Sequence, residues 1–167
     1  MSKPLKQIIW NQFGASIDSL ENAINACTDQ AWGDKPGFHE FWYIAYHTLF
    51  FLDYYTSETD KNFTPPKPFT LDELDPAGVL PDRVYSKDEL LKYLEYGRKK
   101  SQKAIKAMTD KKGQQPCGFE RKDFSVAELH IYNMRHVQHH AAQLNLLLRQ
   151  KIDSAPKWVS QTKTKLV

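Results

Sequence analysis

Two short patterns, Ser86-x-x-Glu89 and Ser125-x-x-Glu128, each stand just before a run whose apolar residues return every three or four positions. A serine three residues ahead of a glutamate caps a helix start reciprocally, and the three-to-four spacing is the helical period. Four segments carry that period, and none alternates as a half-buried strand does. The first runs from about Pro4 to Cys27, with Ile9, Phe13, Ile17, Leu20, Ile24 and Cys27 on one stripe and a proline suited to the first turn. The second, from about Phe38 to Ser57, follows the Pro36-Gly37 breaker and is apolar nearly all round. The third begins at Ser86 and buries Leu90, Leu91, Leu94, Ala104, Ile105 and Met108, with Lys111-Lys112-Gly113 as its predicted end. The fourth, from Ser125 to about Gln150, would be roughly 39 Å long.

Between the second and third helices lie 28 residues, Glu58 to Tyr85, that hold five of the nine prolines. Helix connections in bundles usually take about 2–8 residues. Such a segment is either a crossover between non-adjacent or parallel helices or a lid over a site. A second loop runs from Asp110 to Phe124. The expected fold class is therefore all-α: a four-helix bundle with a long crossover between helices two and three, spanning residues 1–152. A loose tail, residues 153–167, follows.

A chain of 167 residues has room for one core, and 41% hydrophobic with 26% charged residues is ordinary globular usage. A net charge of +3, with no basic stripe interleaved with aromatics, argues against nucleic acid as a partner. The two cysteines, Cys27 and Cys117, form neither a disulfide framework nor a CxxC pair, which fits a reduced compartment. The longest nearly uncharged apolar stretch, Phe41 to Leu52, is too short to span a bilayer, and the N-terminus reads amphipathic rather than as a leader. A soluble cytoplasmic protein with no membrane contact is expected.

Six histidines carry the chemistry of interest. In His136-Val-Gln-His-His140 the first and last are four apart, so both aim at one point from one helix face. That face also holds Leu129, Tyr132, Asn133, Gln143, Leu144 and Leu147, so the imidazoles need partners: a carbonyl or a tyrosine for each, or a shared metal. His47, mid-helix in the most aromatic segment, supplies a third imidazole. Three from two helices can make one facial site with open coordination positions. Gln143, one turn beyond His140, is either a partner to the ligands or a core-edge amide. His139 points about 100° away round the helix, while His130 and His39 lie off the site. Other metal motifs fail on inspection: position 137 is valine where a zincin needs glutamate, and no Glu-x-x-His occurs. There is no CxxCH, glycine-rich phosphate loop or nucleophile elbow.

Tyr43-Ile-Ala-Tyr-His47 and His136-Val-Gln-His-His140-Ala-Ala-Gln143, with the helix order and the long connection, resemble the DinB/YfiT-like superfamily of four-helix bundles. The resemblance implies a divalent metal, nickel or zinc, held by His47, His136 and His140 with waters completing its shell. It also implies a homodimer and, in some members, thiol-dependent transfer or isomerisation with low-molecular-weight thiols. Ala141-Ala142 stands where Arg-Gly is usual, which separates this chain's substrate from one that such an arginine would bind.

Three functions follow as expectations. One is a metal-dependent hydrolase or thiol transferase acting on a small molecule, with the ion as Lewis acid. Glu40, seven residues before His47, lies on its face but about 10 Å along the axis, which leaves the general base unnamed. The second is a non-catalytic metal- or ligand-binding module walled by Trp42, Tyr43, Tyr46, Phe50 and Tyr54. The third is a structural bundle with satisfied core histidines. The excess of apolar residues on the second helix also predicts a two-fold interface.

Overall fold

The computed structural model describes residues 1–33 and 40–166. Pro36, Gly37, Phe38 and His39 lie outside the described residues. Among the described residues six α-helices and one 3₁₀ turn are formed: α1 (Lys3–Ala26), α2 (Asp29–Trp32), α3 (Phe41–Thr56), the 3₁₀ turn Asp72–Leu74, α4 (Lys87–Ala107), α5 (Asp110–Gln114) and α6 (Val126–Ile152). No strand occurs among the described residues, only two isolated bridges. The fold is all-α.

The helix starts follow the capping chemistry. The Ser2 hydroxyl accepts from the Leu5 N–H ahead of α1, and Pro4 occupies the first turn. Both halves of the Ser86/Glu89 capping box are made at α4. The Ser125 hydroxyl accepts from the Glu128 N–H at α6. The predicted end of the third helix is corrected. α4 stops at Ala107, and Lys111, Lys112 and Gly113 fall inside α5, because Thr109 caps a new turn by accepting from the Lys112 N–H.

The four long helices pack cyclically, α1 against α6, α6 against α3, α3 against α4 and α4 against α1. Trp10, Phe13, Ile17, Tyr46, Phe50, Tyr93, Leu94, Val137 and Leu144 belong to their common core. Contacts give the directions. The Lys100 ammonium meets Asp53 and Ser57, Ser101 meets Thr56, and Gly97 meets Leu52, so α3 and α4 run parallel. Close approach depends on Gly97, where a Cβ would lie 2.9 Å from Leu52 Cδ2. A parallel pair needs its chain returned the full helix length, which accounts for the long connection.

That connection covers α3. Phe69 stacks on Tyr93 with centroids 4.2 Å apart and packs on Tyr46 at 5.8 Å, while Tyr85 meets Tyr46 at 4.9 Å. Phe63 closes on Tyr54 at 4.9 Å, and Phe119 meets Tyr54 at the same distance from the loop before α6. The apolar excess of α3 is thus taken up inside one chain.

The segment after α6, expected to be loose, is laid back along α1. Trp10 Nε1 donates to the Thr164 carbonyl (2.8 Å) and the Thr162 N–H to the Asn11 carbonyl (3.0 Å). Gly14 makes room for it: a Cβ there would sit 2.6 Å from Thr162 Cγ2.

Candidate metal centre

On α3, Tyr43, His47, Phe51 and Tyr55 recur every four residues and form one edge row. Tyr132, His136 and His140 form the facing row on α6. His140 lies beside His47, His136 beside Phe51, and Tyr132 beside Tyr55, with ring centroids 4.9, 5.5 and 5.2 Å apart. The pairs step in opposite senses, so α3 and α6 are antiparallel. Asn133 holds the register: its buried Nδ2 donates to the Leu52 carbonyl (3.0 Å) and the Thr56 hydroxyl (3.2 Å).

The buried stripe of α6 is Leu129, His130, Asn133, Val137, Ala141, Leu144 and Leu148. The reading of His136 and His140 as members of the core-facing stripe is corrected, because they flank it and are half-buried. Gln143 is exposed. This edge position lets the two rings turn toward α3 while a cavity opens beside them.

His47, His136 and His140 converge, each offering a ring nitrogen within 4.8 Å of the others. Hydrogen bonds assign the tautomers. His140 Nδ1 donates to the Gln143 side-chain oxygen (2.6 Å), leaving Nε2 bare. His47 Nδ1 donates to Glu73 Oε2 (2.6 Å), leaving its Nε2 bare too. His140 Nε2 and His136 Nε2 lie 3.1 Å apart, and His136 Nδ1 is buried without a partner. If His136 donates through Nε2, it strands a bare Nδ1 in the interior; if its proton sits on Nδ1, two lone pairs face each other. A cation between the Nε2 atoms removes the second conflict.

Charge state agrees with that role. Burial, reinforced by the neighbouring imidazoles, holds His136 down at about 3. Burial likewise holds His140 at about 4, with the Gln143 hydrogen bond opposing. Both rings are neutral near pH 7, the form that ligates. Nitrogens about 2.0–2.1 Å from one ion lie at most about 4.2 Å apart. The 3.1 Å pair already meets this, and the full set needs only a small side-chain closure. The donor set therefore fits a divalent ion that accepts imidazole.

A cavity of about 450 Å³ opens at the cluster, lined by Tyr43, Ile44, His47, Phe51, Glu73, His140 and Gln143. Glu73 is the residue that sequence reading missed. It lies in the 3₁₀ turn of the long connection, its side chain 2% exposed and its Oε1 without a partner. A signal existed: Thr70-x-x-Glu73 repeats the Ser-x-x-Glu pattern of the two helix starts. Here the glutamate turns into the site instead of back to a cap.

The other expected positions sort clearly. Tyr43 walls the cavity, and burial and then the Glu73 carboxylate push its phenol well above the usual tyrosine range. Tyr132 stands behind His136, packed on Tyr55 and Phe124. His139 is exposed, its ring 5.1 Å from that of His140. His130 is buried at the far end of α3, 3.5 Å from Glu58 Oε1. Glu40, weighed as a base, is instead buried before α3 and accepts from the Trp42 indole N–H. Trp42, Tyr46 and Phe50 are core residues, so the wall expected from them is corrected to Tyr43, Ile44 and Phe51.

Among the described residues no helix is long and apolar enough to cross a membrane. No match is found among curated proteins or solved structures. The sequence pattern of the DinB superfamily matches residues 12–144, a span that runs from within α1 to within α6 and takes in all three converging histidines. The chain belongs to the DinB superfamily.

Proposed function

We propose that the chain is a metal-dependent enzyme acting on a small molecule, by hydrolysis or by transfer from a low-molecular-weight thiol. The observation that carries this reading is the meeting of three imidazoles from two helices beside an open cavity that His47 and His140 line, with His136 and His140 held neutral by burial. His47, His136 and His140 would hold the ion, with nickel or zinc suited to imidazole donors. Bound there, a divalent ion supplies a Lewis acid that polarises a carbonyl or acidifies a water or thiol.

The chain's own residues do the rest. Gln143 and Glu73 hold two imidazoles in the ligating tautomer. Phe51 and Ile44 present apolar surface to the occupant and exclude water, and the Tyr43 phenol stays protonated as a donor. Three neutral ligands leave the ion's full charge for an anionic partner.

We place the protein in the cytoplasm, in keeping with two cysteines, Cys27 and Cys117, that are not joined in a disulfide. As its assembly we propose a homodimer through the α1–α6 groove, which is lined by Gln12, Arg135, Ala142 and Trp158, the last 76% exposed. Sedimentation at a single-chain mass of 19.4 kDa overturns the dimer.

The test of function is turnover. Untagged protein is loaded with nickel or zinc and assayed on small esters and on thiol–acceptor pairs, beside His140→Ala as control. Turnover lost in the variant supports the enzyme. Stoichiometric metal without turnover supports the binding-module alternative.

A further inference from the structure

Glu73 is unusual among the acidic residues of the long connection. Glu58, Asp60, Asp72, Asp75 and Asp82 are exposed or half-buried, whereas the Glu73 side chain is 98% enclosed against the α3 edge row. Burying a carboxylate is costly unless it is paired and hydrogen-bonded. His47 Nδ1 at 2.6 Å and the Tyr43 phenol both serve the carboxylate, while its Oε1 is left without a hydrogen bond. A residue that only fastened the connection would not need to be charged. Phe69 already fastens it, stacked on Tyr93 and 8% exposed. The short turn carrying Glu73 closes on itself through the Leu74 N–H to Leu71 carbonyl bond (2.9 Å) and the Asp75 N–H to Asp72 carbonyl bond (3.0 Å).

The geometry points to Glu73 as a positioning residue of the metal centre, carried by residues 58–85, which fixes the His47 tautomer and so makes metal affinity depend on that segment being docked. This inference rests on the His47–His136–His140 reading. The physical link is direct. A carboxylate accepting Nδ1–H leaves Nε2 bare and raises its basicity, as carboxylates behind metal-bound histidines do. Glu73 lines the same cavity and its Oε1 is unpartnered, so the carboxylate has acceptor capacity left for an O–H, N–H or S–H of whatever occupies it. Metal binding and docking of the segment are then one linked equilibrium, and each strengthens the other.

The experiment measures zinc affinity of the full chain by chelator competition for wild type, Glu73→Gln and Glu73→Ala. Circular dichroism of each metal-free protein is recorded alongside. Glu73→Ala should bind about 10–100-fold more weakly with unchanged helicity, and Glu73→Gln, which keeps an acceptor but no charge, should fall between. Long-range nitrogen–proton correlation spectra should show His47 as the Nδ1–H tautomer in wild type and displaced toward Nε2–H in Glu73→Ala. A purely structural contact would leave that signature unmoved. Zinc should also slow tryptic cleavage after the exposed Lys61 and Arg83 in wild type, and protect neither bond in Glu73→Ala. Glu73→Ala binding zinc within twofold of wild type overturns the inference; if that variant does not fold, Glu73→Gln decides by the same threshold. Wild type that binds no zinc overturns instead the reading on which this one rests.

Discussion

His136 and His140 differ from His139 in direction, and one substitution at each separates ligand from neighbour. Removing any of the three half-buried imidazoles takes away one of three protein donors, so His136→Ala, His140→Ala and His47→Ala should lose stoichiometric metal on elemental analysis of untagged protein. His139→Ala should keep it, because that ring is exposed on the side away from His47. Acid behaves differently from what an ordinary imidazole suggests. With His136 held at about 3 and His140 at about 4, protons compete with metal at these two rings only near and below pH 4, not near 6. The metal-free protein has the opposite sensitivity. Between the ordinary imidazole value of 6.5 and these depressed ones the unfolded chain takes up protons that the folded chain refuses. Stability is therefore intact above about 6.5 and falls as pH drops below it. Thermal melts of metal-free wild type and His136→Ala from pH 7 to 4 check this, the variant losing less. The HxxxH spacing made this pair visible in the sequence, but period alone cannot tell the centre of a helix stripe from its border. Hence both rings lie beside the core stripe rather than on it.

Helices α3 and α4 are joined by polar groups that hydrophobic patterning does not report. Asp53 is fully buried and binds the Lys100 ammonium and the Tyr93 phenol (3.0 Å), while Lys100 also donates to Ser57. Burial raises the Asp53 carboxyl above its usual range, and Lys100 works against that rise. Lys100→Met strands the carboxylate and should destabilise the fold by about 2–4 kcal/mol, at the modest end for a buried pair since Lys100 still reaches solvent. The sign with pH follows. A carboxyl whose folded value lies above its unfolded one stabilises while protonated, and the contribution is lost as pH rises. The deficit should be largest near neutrality and shrink toward about pH 4, as urea titrations at the two pH values would show. Element starts were legible because Ser2, Ser86 and Ser125 announce them chemically. The end of α4 was not, since Thr109 competes there with a plausible Lys-Lys-Gly terminus.

Across the whole molecule, the segment least readable in sequence completes the site. Its prolines suppress any period, so residues 58–85 gave length and no placement. Yet Phe69 and Tyr85 seal the aromatic face of α3, and Glu73 reaches His47. The tail was equally silent, because its hold on α1 runs mainly through backbone groups at Thr162 and Thr164. Metal would therefore tie together parts of the chain that are far apart in sequence: α3 and α6 through three imidazoles, and the connection through Glu73. An ion that binds the folded state and not the unfolded one stabilises by mass action, by about 2.7 kcal/mol when free metal is 100 times its dissociation constant. For a chain of this size each kcal/mol moves the melting temperature by about 2–4 °C, so zinc or nickel should raise it by about 5–10 °C. Chelator should reverse the rise, and His140→Ala should show none. Protonation of His136 and His140 should take nothing from the gain until pH falls to about 4. A scanning-calorimetry series over metal, chelator and pH reads all three, and a melting temperature indifferent to metal would remove the centre from the account of this fold.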